Sequence, residues 1–278
     1  MKLWQKEEGQ AGEWSRIVET FTVGRDLEFD ILLAEHDVLG SLAHTHMLAS
    51  IGLLTPEELA SIHSGLHSIL EDIRAGRFSL EPGVEDVHSQ VELQLTRSIG
   101  ETGKKIHSGR SRNDQVLLDI KLFLRASLKE TATRIQALFE RLQALSEEHR
   151  ERLLPGYTHF QIAMPSSFGL WFGAYAESLC DDMEMLLAAF RIADKNPLGS
   201  GAGYGSSFPL QRKMTTEWLG FSDLNYNVVY AQMTRGKTEK AVAMALSSVA
   251  ATLSKLAYDV CLYMNQNFGF ITFPDVLT

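Results

Sequence analysis

The residues with the most chemistry to offer stand together at 107–115, His107-Ser108-Gly109-Arg110-Ser111-Arg112-Asn113-Asp114-Gln115. Two arginines, two serines and an asparagine surround one glycine, just ahead of a long apolar-periodic segment. A polar loop feeding a helix suits carboxylates, because the first N–H groups of a helix are unpaired and its dipole favours negative charge. Arginine adds a planar fork that matches a carboxylate. The chemistry implied is an anion site for a small ligand with more than one carboxylate. An ordinary polar helix start, with Asn113 or Asp114 as cap, accounts for the same residues equally well.

A second candidate is His159, within Pro155-Gly156-Tyr157-Thr158-His159-Phe160-Gln161. A histidine exchanges protons near neutral pH when a polar neighbour fixes its tautomer, and Thr158 and Gln161 flank this one. A loop histidine without chemistry is the plain alternative. His88, in Glu85-Asp86-Val87-His88, reads more weakly, as a helix-start residue among acids. His44/His46 and His63/His67 lack the acidic or cysteine partner of a metal set, so they read as solvated or capping histidines. His107 stands beside the arginine loop and can orient it.

Two glycine motifs are set aside. Gly236-Lys237-Thr238 looks like the end of a P-loop, but the position five residues before Gly236 is Ala231 and no strand precedes it. Gly199, Gly201, Gly203 and Gly205 lack the βαβ unit of a dinucleotide fingerprint and read as a tight turn able to wrap over a ligand.

Helices must position these groups. Thr55-Pro56-Glu57-Glu58 combines a capping threonine, a proline at the first helical position and a glutamate three after the cap. Leu59, Ile62, Leu66, Ile69 and Ile73 then form one stripe, and Gly76 stops the helix. Further helices are expected at about 27–52 and 84–100. Three longer ones are expected at about 114–150, 166–194 and 234–267, the first roughly 50 Å long. The third is rich in Ala and Ser and reads as central in a bundle. Helices so long and so broadly apolar imply burial against other copies of the chain. No strand alternation of useful length is evident, apart from short pieces at Phe270–Phe273.

The chain has 278 residues, of which 45% are hydrophobic and 22% charged, with a net charge of −9. That composition fits a soluble globular protein, and the acidic balance argues against nucleic-acid or anionic-membrane binding. Cys180 and Cys261 form neither a disulfide framework nor a metal pattern, and are expected as buried thiols in a reducing compartment. Charges at Lys6, Glu7 and Glu8 interrupt any signal peptide, and no apolar run of membrane-spanning length is evident. A cytoplasmic location is the expectation.

Together the motifs resemble the argininosuccinate lyase branch of the fumarase/aspartase superfamily. His107–Val116 is similar to that branch's HTGRSRNDQV segment, with serine for threonine; Gly156–Gln161 to GYTHLQ; Pro197–Ala202 to PLGSGA; and Glu85–His88 to EDVH. Lys2-Leu3-Trp4 fits the usual start. The order and spacing agree along essentially the whole chain.

The resemblance implies an all-α subunit, with a small N-terminal helical domain at 1–109 and a long-helix bundle at 110–278, incomplete here. It implies cofactor-free, metal-free cleavage of argininosuccinate to arginine and fumarate, by a carbon–nitrogen lyase of arginine biosynthesis. It implies a homotetramer whose active sites combine segments from three subunits. Ser111 and Asn113 would hold substrate carboxylates with Arg112 near them. Thr158 and Gln161 would contact substrate, His159 would act as acid or base, and His88 would assist positioning.

Two positions depart from the pattern: Met164 stands where glutamine is usual, and Asp26 where a serine is frequent. The branch's serine loop, roughly G-S-S-x-M-P-x-K-x-N-P, would follow residues like Phe270–Asp275, and the chain stops at Thr278 before it. The expectation is therefore an N-terminal portion of a lyase, inactive alone. A non-catalytic structural or regulatory protein on the same scaffold, and a lyase for another N-substituted succinate, are the alternatives.

Overall fold

The structure is a computed structural model that describes residues 17, 21, 25–82 and 84–277. The Lys2–Trp4 stretch and the charges at 6–8 lie outside them. The fold is all-α in class, with two small two-stranded sheets, and divides into two compact units.

The first unit comprises residues up to Phe123 together with Asp194–Gly236. It holds α1 (Asp26–Asp30), a 3-10 turn (Ile31–Leu33), α2 (Ala34–Ser50), α3 (Pro56–Arg74) and α4 (Val87–Ile99). Thr55 caps α3 as expected: its hydroxyl accepts from Glu58 N and the Glu58 carboxylate accepts from Thr55 N. Leu42, Leu48, Ile62, Leu66, Val91 and Leu95 interlock as the core of this unit. Each such side chain contributes on the order of 1.5–3 kcal/mol on burial. The Asp30 carboxylate accepts from Val87 N at 2.6 Å, so α1 also anchors the start of α4.

A 3-10 segment (Gly100–His107) leads into the long helix α5, Arg112–Glu148. The first unit keeps α5 as far as Phe123, whereas the sequence reading drew its line at residue 110. The reason is packing: Leu118 and Leu122 of α5 bury against Leu198 and Phe221 of the returning segment. That segment contains β3 (Lys195–Asn196) paired in parallel with β4 (Asp223–Leu224), and the short helices α7 (Arg212–Trp218) and α8 (Val228–Met233). Lys121 is fully buried, its ammonium donating to Lys195 O at 3.0 Å and Asn225 Oδ1 at 2.7 Å, so one cation fastens both ends of that small sheet.

The second unit comprises Leu124–Ala193 and residues from Lys237 onward. Its core is made by α5, α6 (Phe168–Ala193) and α9 (Lys237–Met264), through residues such as Leu128, Ile135, Leu179, Leu186, Val242 and Val249. Asp259 on α9 accepts from Trp171 Nε1 (3.0 Å) and Tyr175 OH (2.7 Å) on α6, giving the two helices a polar register.

Two sequence expectations change here. Residues 153–167 are not a plain connection but an antiparallel hairpin, β1 (Leu153–Thr158) with β2 (Gln161–Ser167), while Phe270–Phe273 forms no strand. Cys180 and Cys261 are exposed rather than buried, because α6 and α9 each bury a single stripe within this chain. Among the described residues α9 is the one helix long and apolar enough to cross a membrane by length and composition, with a mean hydropathy of 1.3 over its most apolar window.

Candidate active site

The start of α5 is built by local hydrogen bonds. Ser111 is the N-cap: its hydroxyl accepts from Asn113 N and from Asn113 Nδ2, each at 3.2 Å. Asp114 closes the reciprocal bond, accepting from Ser111 N at 2.9 Å. The aspartate three residues after the cap makes one half of a capping box, while the serine hydroxyl takes the N–H two residues on. Of the two caps weighed from sequence, Asp114 takes part and Ser111 carries the capping hydroxyl. Asn113 is exposed and Ser111 half-buried at the helix start.

Asp114 does more than cap. It is fully buried, and its second oxygen accepts from Gly199 N and Gly201 N, both at 2.9 Å. One carboxylate thus satisfies three backbone donors and ties the arginine loop to the glycine turn. Gly201 has φ +59, and a Cβ there would stand 2.8 Å from Gly205 O, so only glycine fits. The turn is gripped from its other side by Arg212, which donates to Leu198 O at 2.9 Å and Asn225 O at 2.8 Å. Gln232 adds bonds to Ser200 Oγ and Gly201 O.

The arginines divide by role. Arg110 is buried, donates to Ser41 Oγ at 2.9 Å, and lends its charge to Asp37 and Asp119. Arg112, expected near the substrate, directs its guanidinium at Asp86 (2.9 Å), Ser89 (2.7 Å) and Glu85 (3.5 Å), fastening the loop to the start of α4. Arg235, which the sequence reading passed over, is exposed and donates to Asn113 Oδ1 at 3.2 Å.

His88 lies beneath this loop rather than beside Asn113. It is buried, with Nδ1 2.8 Å from Asp37 Oδ1 and 3.5 Å from Asp119 Oδ2. Burial opposes its charge, but Asp37, Asp119 and Asp86 prevail and raise its pKa to about 9. Burial also opposes the charge on Asp37, yet His88 and Arg110 hold that carboxyl below its usual range. Asp119 moves the other way: burial, then the Asp37 charge, push it well up. Within the trio, His88 pairs with Asp37, and the crowding of two carboxyls opposes ionisation of Asp119. The trio's three donor atoms lie within 4.8 Å of one another, close enough for a metal ion. The charge balance disfavours one, since a divalent ion would have to displace the His88 proton beside the Arg110 guanidinium.

His44 and His63 also depart from expectation. His44 is buried, not solvated, and its Nε2–H donates to Ser108 O at 2.8 Å, holding the loop from below. Burial and then Arg110 lower its pKa to about 3. His63 is half-buried, its Nε2 3.1 Å from Thr45 Oγ1. His107 is half-buried, and burial, then the charge of Arg110, lowers its pKa.

The remaining expected residues belong to the second unit. Thr158 and Gln161 are partners across the end of the β1–β2 hairpin, and His159 and Phe160 are its two turn residues. Both have positive φ, 51° and 59°, as the right-handed twist of a two-residue hairpin demands. Thr158, His159 and Gln161 are all exposed. A bulge follows Gly156, where a Cβ would meet Met164 O at 2.9 Å. Tyr157, one pair from the turn, meets Phe268 edge-on at 5.4 Å. The structure thus groups Ser111, Arg112 and Asn113 on one helix start with His88 below, and groups Thr158, His159 and Gln161 on one turn.

Long helices carrying a capped polar start and an exposed histidine turn make up a helical scaffold shared with lyases of known structure. Solved structures agree: an EDDS lyase variant with bound fumarate superposes with a TM-score of 0.77 at 28% identity, over 86% of this chain and 47% of its own. A fumarate lyase, delta crystallin from Brucella melitensis bound to cobalt, shares the fold with a TM-score of 0.76 at 19% identity, over 91% of this chain and 60% of its own. The chain belongs to the lyase family of the fumarase/aspartase superfamily, whose sequence profile matches residues 12–277. An argininosuccinate lyase of Bacteroides fragilis is 62% identical over 277 residues, covering 100% of this chain. The chain spans 61% of the length of that relative.

Proposed function

We propose that this chain serves an argininosuccinate lyase, a cytoplasmic carbon–nitrogen lyase that releases arginine and fumarate without a cofactor, in arginine biosynthesis. The observation that carries this is the 62% identity to the Bacteroides fragilis enzyme, sustained over 277 residues. The geometry supports it. In the β-elimination a base takes the proton from the carbon beside a carboxylate. The C–N electron pair leaves with the guanidino nitrogen, which an acid protonates, and the remaining pair forms the C=C bond of fumarate. Negative charge accumulates on the carboxylate before the C–N bond breaks, so fixed donors around it lower the barrier.

Ser111 and Asn113 at the start of α5 suit that carboxylate, with Arg112 holding the loop in place. His159 is the acid/base histidine, acting directly or through a serine, and Thr158 and Gln161 flank the substrate. His88 positions the loop from beneath. The first unit acts as the N-terminal lyase domain and the second as part of the central bundle. Exposed Leu170, Met185, Ile192, Met244, Leu246 and Leu253 on α6 and α9 support a homotetramer with shared sites.

The EDDS lyase variant is described with fumarate, which favours one second reading, a lyase for another N-substituted succinate. The test is fumarate release by the full-length protein from argininosuccinate and from other N-substituted succinates. Argininosuccinate should be the preferred substrate, and His159→Asn should lower kcat by roughly 100-fold or more with the oligomer intact. No fumarate from argininosuccinate overturns the assignment, and near-normal turnover by the variant removes His159 from the chemistry.

A further inference from the structure

We infer that Arg235, rather than Arg112, is the cation that meets a substrate carboxylate at the Ser111–Asn113 helix start; the inference rests on the function proposed above. Three guanidinium groups compete for that role. Arg110 is buried and compensates Asp37 and Asp119. Arg112 is half-buried and already engaged by two carboxylates and a serine. Arg235 is exposed, and among the described residues its side chain makes one hydrogen bond, from Nη1 to Asn113 Oδ1 at 3.2 Å, and no ion pair. Its remaining N–H groups are free for a ligand.

The bond to Arg235 also orients Asn113. A guanidinium only donates, so the atom facing it must be Oδ1. The amide nitrogen then points at Ser111 Oγ, 3.2 Å away, with one N–H left over. That spare N–H and the Arg235 fork together bracket a position for one carboxylate of a succinyl group. Arg235 is held there by backbone: its N–H donates to Gln232 O at 3.2 Å, and the buried Thr234 donates its hydroxyl to Ala231 O at 2.7 Å. Gln232 is in turn bonded to Ser200 and Gly201 of the glycine turn, which Asp114 ties to the same helix start. Cation and amide therefore share one framework.

The experiment uses the full-length protein, with Arg235→Gln, Arg235→Lys and Arg112→Gln. Fumarate binding is measured by calorimetry, KM and kcat on argininosuccinate, and stability by thermal melting. Arg235→Gln should weaken fumarate binding and raise KM by roughly 10- to 100-fold without shifting the melting midpoint, the usual loss for a charge-assisted bond. Arg235→Lys should recover part of the loss. Arg112→Gln should instead lower the melting midpoint, by releasing the loop from α4. Unchanged fumarate affinity and KM in Arg235→Gln, with a wild-type protein that binds fumarate, overturns the role of Arg235 and leaves the proposed function standing. A wild-type protein that binds neither fumarate nor argininosuccinate overturns the functional reading, and this inference with it.

Discussion

The loop at 107–115 and the hairpin at 153–167 carry the same kind of promise and are built in opposite ways. The loop is polar outside and over-determined inside: Ser108 is tied to buried His44, Arg110 to Ser41, Asp114 to Gly199 and Gly201, and Gln115 to Asp37. The hairpin is exposed along most of β2, and its histidine sits in a left-handed conformation with solvent around it. The contrast separates two tasks. Binding a carboxylate calls for donors that do not move, so the loop invests in rigidity. The hairpin offers one reactive group at its tip and leaves its surroundings to be supplied by whatever packs on it.

Substitutions can break that comparison, starting with the largest effect. Asp114→Ala strands two fully buried backbone N–H groups, those of Gly199 and Gly201, and a third at half-buried Ser111. A loss of about 3 kcal/mol or more in urea unfolding is expected, and a loss below about 1 kcal/mol would show that the loop is not held as described.

The next effect is set by pH. His44 is neutral in the fold with a pKa of about 3, against 6.5 ordinarily, so the unfolded chain takes up its proton first as pH falls. Stability should fall by about 1.4 kcal/mol per pH unit below that ordinary value, roughly 2 kcal/mol by pH 5. His44→Gln should flatten this acid limb. His88 has the opposite sign: its pKa of about 9 gives stability that is complete below 6.5 and lost as pH rises through about 9. His88→Gln should therefore remove the alkaline limb, and because Asp37 loses the partner that keeps its buried carboxyl ionised, it should lower stability near neutral pH as well.

Gly201→Ala ranks third, at about 1–3 kcal/mol, for its positive φ and the close Gly205 carbonyl. His159→Gly ranks last. It relieves a left-handed conformation on an exposed turn, so unfolding should be unchanged or up to about 1 kcal/mol more favourable to the fold. A large destabilisation there would show that the hairpin is held as tightly as the loop.

The sequence made some of this contrast readable. The Thr55 cap and the stripe after it place α3 within a residue or two, because capping chemistry and periodicity are local. Ser111 and Asp114 have capping-box spacing, yet three other polar residues nearby compete for the role on paper. The hairpin was hidden, since prolines at 155 and 165 interrupt alternation and its turn is His-Phe rather than Asn-Gly. Nothing local marks Asp37, Asp119 and Lys121 as buried; Asp37 and Lys121 meet their partners 78 and 104 residues away. Arg235 was obscured in the same way, its asparagine lying 122 residues earlier.

The link from Asp114 to the glycine turn has a consequence for how the protein is made. Gly199 follows Asp114 by 85 residues, and all of the second unit's first segment is synthesised in between. At about 5–20 residues per second, the Asp114 carboxylate leaves the ribosome roughly 4–17 s before its partners exist. During that interval the nascent first unit holds a half-finished seam, with Leu118 and Leu122 uncovered until Leu198 and Phe221 arrive. Chaperone capture of stalled ribosomes should peak in that window and end once the glycine turn has emerged.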